Sequence, residues 1–308
     1  MLINYAAITH QGRVRKNNED AFLVSALDGD EPLVNALGRL RKDCPAGLLA
    51  AVADGMGGAA AGEIASREGL AAMALNLFSR WGLLAPQERK ETALWKALHE
   101  ATESASAAVL RYSDAERTAR GMGSTLTAAL IWEGHAYLAQ IGDSRAYLLR
   151  GDDLVQLTRD QTIVNDMVAN GILTPEQALS HPQRSMITQA LGAPMVLKAA
   201  LGKLSLRRGD RLLLCSDGLH GEAGDQAIAE ALSRRLSLKE TLGRLLQSAL
   251  DAGGRDNITA VLLALDDPGF PLAGKRDVPA LQPAPAHFFN TERPGLFTRL
   301  GQKLTGRP

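Results

Sequence analysis

Five aspartates stand in five short motifs spread along the chain: Asp20 in NNED, Asp54 in ADGMGG, Asp143 in IGDSR, Asp217 in CSDGL and Asp256 in GRDN. Carboxylates and backbone carbonyls are the oxygen ligands that hard cations such as Mg²⁺ and Mn²⁺ select, whereas zinc favours histidine and cysteine. No His/Cys cluster has zinc spacing, and HEAT at His99 fails the HExxH pattern. Gly55, Gly57 and Gly58 after Asp54, and Gly218 after Asp217, let the backbone approach an ion closely and offer its carbonyls. Arg15, five residues before Asp20, carries the planar guanidinium suited to holding a phosphate. A single Asp-Gly is usually a turn, and a single arginine a surface charge. The chemistry pointed to by the set is that of a manganese or magnesium site.

Each motif adjoins an apolar run that reads as a strand, so a sheet can gather carboxylates that lie far apart in the chain. Such runs occur at about 2–9, 20–26, 48–53, 124–132, 135–141, 145–150, 197–204, 210–216 and 257–265. Helical patterns cover about 61–80 and 87–112, and a third, 225–252, breaks near Ser237. Short turns such as Glu133-Gly134 and Gly151-Asp152 join strand clusters, which argues antiparallel sheets with paired helices outside them. The class is α+β. Residues 160–195 read as an inserted lobe, with a short helix near 161–170 and a Thr174-Pro175-Glu176 helix start. Met73, Leu77 and Trp81, like Leu94, Leu98 and Ala101, recur at helical spacing and read as core.

The chain has 308 residues, 45% hydrophobic and 22% charged, enough for one large domain and an appendage. Lysine plus arginine and aspartate plus glutamate both number 34, so no overall basic field favours nucleic acid or an anionic membrane. No window approaches the roughly 20 apolar residues of a membrane span, the N-terminus lacks a secretory pattern, and two cysteines make no disulfide framework. The expectation is a cytoplasmic protein. After Leu265 the chain turns proline-rich, which reads as a linker, so the domain is expected to be 1–266, with 267–308 a linker and a basic, aromatic tail. Phe288, Phe289, Leu296, Phe297 and Leu300 with Arg293, Arg299, Lys303 and Arg307 give that tail the composition for docking on a partner, or for a loosely ordered end.

Eight blocks, THQGRVRKNNEDAF (9–22), AAVADGMGGAAAGEIAS (50–66), GMGSTLTAALI (121–131), AQIGDSRAYLLR (139–150), LTRDQTIVNDMVANGILTPEQA (157–178), HPQRSMITQALG (181–192), DRLLLCSDGL (210–219) and GGRDNITAVLL (253–263), resemble in order the metal-dependent serine/threonine protein phosphatases of type 2C, the bacterial members above all. The resemblance covers roughly 3–265 and implies a four-layer αββα sandwich, two central antiparallel sheets flanked by helix pairs, with the site in a cleft at one end. It implies that Asp54 bridges two Mn²⁺ or Mg²⁺ ions, with the Gly55 carbonyl on one of them. Asp217 and Asp256 then bind the first ion, Asp20 and Glu19 serve the second, Asp143 with Asp217 holds a third in bacterial relatives, and Arg15 binds the substrate phosphate. The implied reaction is direct attack of a metal-activated water on a phosphoserine or phosphothreonine, and the implied partners are phosphorylated proteins, a serine/threonine kinase and its substrates among them.

Met56 stands where eukaryotic members carry a histidine, so no dedicated acid for the leaving alkoxide is expected. His10 and Gln161 replace an aspartate and a histidine common in the family and read as surface polar groups, and His181 is a weak candidate for substrate contact. Neither cysteine is followed by five residues and an arginine, and Gly142-Asp-Ser-Arg-Ala146 lacks the second glycine of a nucleophile elbow, which excludes cysteine and serine nucleophiles of those types. Gly269 to Arg276 imitates a P-loop, with arginine where a magnesium-binding hydroxyl should stand. The competing class is a phosphatase-like binding module without turnover.

Overall fold

The computed structural model describes residues 2–27, 44–57, 61–234, 236–274 and 277–286, and the backbone of 37–40. The strands are β1 (Ile3–His10), β2 (Asp20–Ala26), β3 (Leu37–Leu40), β4 (Leu48–Met56), β5 (Gly123–Ser124), β6 (Leu126–Trp132), β7 (His135–Ile141), β8 (Arg145–Arg150), β9 (Asp153–Gln156), β10 (Ala200–Ser205), β11 (Asp210–Cys215), β12 (Ile258–Leu265) and β13 (Gln282–Pro283). The α-helices are α1 (Ala61–Leu77), α2 (Glu91–Ala115), α3 (Ile163–Ala169), α4 (Pro175–Leu179), α5 (Asp217–Ser233) and α6 (Leu238–Asp251). None is long and apolar enough to cross a membrane among the described residues.

Two antiparallel sheets form the centre. One runs β3-β1-β12-β11-β8-β9, the other β13-β10-β7-β6-β4-β2, with β5 pairing β4. Alternation along each strand sorts side chains between layers. On β4, Leu48, Ala50 and Val52 enter the core between the sheets, while Leu49, Ala51 and Ala53 pack under α1 and α2. On β12, Val261, Leu263 and Leu265 face the inner core and Ile258, Ala260 and Leu262 face α5 and α6. The four-layer αββα sandwich expected from the resemblance is the architecture observed. A π-helical turn, Phe78–Gly82, follows α1 and swings Trp81 edge-on to Trp132, with ring centroids 5.0 Å apart.

Three boundaries differ from expectation. β3 and β9 have four residues each at sheet edges, and backbone pairing makes them without an apolar run to announce them. α5 begins at Asp217, eight residues before the periodic pattern, because Gly224 at φ 76° kinks the helix and only the part beyond carries the apolar stripe.

The stretch after Leu265 does not behave as a linker over its described part. The Asp267 carboxylate accepts the Leu2 amide at 2.7 Å, Phe270 is buried between the sheets, and Ala284 donates its amide to Leu201. Asp277 accepts from Arg150 Nη1 at 2.8 Å and Arg207 Nε at 2.5 Å, and Arg150 also holds the buried Asp210. Few apolar residues suffice for this docking because buried charges and one short strand pair fix the rest. Residues 287–308, with the aromatic and basic tail, lie outside the described residues, as do 275–276 of the P-loop imitation.

Candidate active site

The aspartates expected to act together lie at one end of the sandwich because each sits where a strand enters or leaves it. Asp20 opens β2 directly across the ladder from Asp54 near the end of β4. Asp143 follows β7, Asp217 follows β11, and Asp256 precedes β12. The cleft there, about 320 Å³, is lined by Arg15, Glu19, Asp54, Gly55, Asp143, Asp217 and Asp256, with Met56, Thr125, Ser185, Ile187 and Asn257. Asp20 is buried behind it, its Oδ2 accepting from Ser216 Oγ at 2.7 Å.

Close backbone contact explains the glycines. A Cβ on Gly55 would stand 1.9 Å from the Gly62 carbonyl oxygen, and a Cβ on Gly62 would stand 2.7 Å from Glu19 Cδ. The Glu19 carboxyl therefore rests on bare helix backbone, while its own carbonyl accepts from Gly55 N and Ser66 Oγ. Gly12, at φ 81°, passes over the Asp256 carbonyl, where a Cβ would come within 2.2 Å.

Residues not singled out in the sequence hold this frame. Asn257 accepts from Glu19 N at 2.8 Å and donates to the Gln11 and Asn17 carbonyls, clamping the loop that carries Arg15. Thr125 accepts from Asp54 N and joins Ser144 Oγ, linking Asp54 to the Asp143 turn. His220 lies against the Asp143 carbonyl at 3.1 Å; burial pushes its pKa down to about 4, so the ring is neutral and donates from Nε2. The signal available for Asn257 and Ser216 was adjacency to the GRDN and CSDGL aspartates; for Thr125 and His220 there was none.

Electrostatics single out the aspartates. Burial first, then mutual repulsion, raises the carboxyl groups: Asp20 and Asp143 to about 7, Asp54 well above its ordinary value, and Asp217 and Glu19 upward. Asp20 Oδ1 and Asp217 Oδ1 are buried with no hydrogen-bond partner among the described residues. Carboxylates crowded and under-satisfied in this way fit a divalent cation. Among the described residues no three His, Cys, Asp or Glu side chains already stand as a closed ligand set, so ions here would draw on these carboxylates together with backbone carbonyls and water, the oxygen ligands that Mg²⁺ and Mn²⁺ take. Arg15 lines the cleft with Nη2 2.6 Å from Asp256 Oδ2.

Two expectations are corrected. Gln161 is half-buried and more than a surface group: it accepts the Gly142 amide at 2.8 Å and donates to the Lys198 carbonyl, tying the inserted lobe to the site. His181 turns its Nδ1 to the Gln183 amide and lines neither the cleft nor its extension, where Arg184 and Ser185 stand instead.

The family model for protein phosphatase 2C matches residues 36–263. The chain belongs to the protein phosphatase 2C family. Serine/threonine protein phosphatase PstP of Mycobacterium tuberculosis is 39% identical over 267 residues, 87% of this chain and 46% of PstP, so the chain spans about half the length of that relative. Serine/threonine phosphatase Stp of Listeria monocytogenes is 33% identical over 262 residues, 84% of this chain and 94% of Stp. The crystal structure of the PstP catalytic domain in complex with two manganese ions superposes with a TM-score of 0.68 at 36% identity, covering 87% of this chain and all of that domain. Protein phosphatase 2C members thus share the fold, and one such relative holds manganese.

Proposed function

We propose that this chain hydrolyses phosphoserine and phosphothreonine in proteins with two Mn²⁺ or Mg²⁺ ions, reversing a serine/threonine kinase in the cytoplasm. The observation that carries the reading is the cluster of mutually repelling, buried and half-buried aspartates in and behind a cleft lined by Arg15, two of them with buried oxygens that have no hydrogen-bond partner among the described residues. Asp54 is proposed to bridge the ions with the Gly55 carbonyl on one. Asp217 and Asp256 would hold the first, Glu19 and Asp20 would serve the second, and Asp143 with Asp217 would take any third. Ions bound there supply activated water and neutralise charge on a phosphoryl group.

The chain's own residues supply position and charge. Arg15 is free to turn from Asp256 to a substrate phosphate, because its side chain is 52% exposed. Asn257 and Thr125 keep Glu19 and Asp54 in register. Met56 lines the cleft and offers no proton, so the leaving alkoxide draws its proton from water. Acid-quenched turnover of a radiolabelled phosphothreonine peptide with Mn²⁺ tests this: all label should leave as inorganic phosphate, and label fixed on the protein would replace direct hydrolysis with a covalent route.

A further inference from the structure

A second cleft, about 580 Å³, opens off the first and shares Asp143, Ser185 and Asp217 with it. Its wall on the inserted lobe carries an apolar strip, Val164 and Val168 of α3 and Pro175, Ala178 and Leu179 of α4, beside the polar Thr162 and Asn165. Leu179 is 79% exposed on that wall. The facing wall is the first turns of α5, where Gly221 presents no side chain at all.

The charges on the floor already have partners. Arg145 donates from Nε and Nη2 to both oxygens of Asp160 at 2.8–3.1 Å, and the Tyr147 hydroxyl donates to Asp225 at 2.7 Å. His220 Nε2 is committed to the Asp143 carbonyl at 3.1 Å. Breaking such pairs to bind an ion costs more than it returns. Arg184, exposed on the lobe, keeps its charge in solvent. Beyond these partnered charges, what the cleft offers a ligand is its apolar strip, in a concave setting that takes up side chains.

We propose that this second cleft is a substrate subsite that receives one apolar side chain, of leucine or methionine size, within about three residues of the phosphorylated residue, since an extended peptide advances about 3.3–3.6 Å per residue. The proposal rests on the phosphatase reading above. It assigns sequence preference to the pairing of α4 with the start of α5.

The test uses the full chain with Mn²⁺ and phosphothreonine peptides in which one leucine is walked through the flanking positions of a serine background. One position should raise kcat/KM about tenfold over the all-serine peptide, the scale on which an apolar pocket discriminates. A Cβ at Gly221, which lines the cleft, meets nothing within 4 Å, so Gly221→Leu adds an apolar side chain to that wall from an open position. The leucine-to-serine ratio should fall to about one in that variant. Leu179→Asp, a change on an exposed position, should lower the same ratio by a different route. No preferred position in the wild type, or a ratio that survives both variants, overturns the subsite while leaving the phosphatase intact. Failure of the wild type to hydrolyse any peptide or a small aryl phosphate overturns the phosphatase reading and the subsite with it.

Discussion

Asp20 and Asp54 are cross-strand partners in the β2–β4 ladder, a buried and a half-buried carboxylate placed opposite one another where like charges destabilise a sheet. The fold accepts that cost at the end of the sandwich where Asp143, Asp217 and Asp256 also gather, and the consequences can be measured without substrate.

The first consequence is the pH dependence of the metal-free protein. Asp20 and Asp143 titrate near 7 when folded, against about 3.9 for an unfolded aspartate. Between those values the folded state binds more protons, so the stability these groups contribute is complete below about pH 4 and is lost as pH rises through about 7. Melting in EDTA should give a lower Tm at about pH 8 than at about pH 5, and Mn²⁺ should raise Tm more at the higher pH. A metal-free Tm that climbs over the same range would show that the cluster does not carry this charge conflict.

Replacing one of the repelling groups separates stability from activity. Asp54→Asn should raise the metal-free Tm, because a half-buried charge and its repulsions with Asp20 and Asp217 are removed. Turnover should fall by about 100-fold or more, the scale of losing one electrostatic contributor to a reacting centre. Calorimetry and steady-state rates on one preparation check both signs.

Arg15→Ala should cost about 10- to 100-fold in kcat/KM, since a hydrogen bond to a charged group contributes about 1.5–3 kcal/mol. Arg15→Lys should recover part of the loss, because a lysine supplies the charge without the fork. Equal rates in the three proteins would place Arg15 outside phosphate recognition.

The segment beyond Leu265 gives a prediction about stability. Truncation after residue 265 removes Phe270 from the inner core and Asp277 from Arg150, and loss of the aromatic side chain alone costs about 3–5 kcal/mol. The full chain is the reference against which that loss is read. Chemical denaturation of the two forms distinguishes a strap that belongs to the domain from a linker that does not.

The strands that carry the site were legible because each is an apolar run ending in a turn with aspartate, as at Leu48 to Asp54 and Leu212 to Asp217. The frame around them was not, because its parts have no signature of their own. Thr125 acts through one hydroxyl, His220 through a carbonyl contact, and Gly62 through the absence of a side chain where Glu19 lies. The strap escaped for a related reason: prolines and scattered polar residues describe a linker until Arg150 and Arg207 are seen to hold Asp277.

The most direct test of the account is hydrolysis of a phosphothreonine peptide as Mn²⁺ is titrated into the metal-free protein, beside Asp217→Ala. The account predicts turnover that rises from nothing with Mn²⁺, is abolished by EDTA, and is absent or demands far more metal in the variant. Turnover without metal, or a variant that matches the wild type at every concentration, would contradict it.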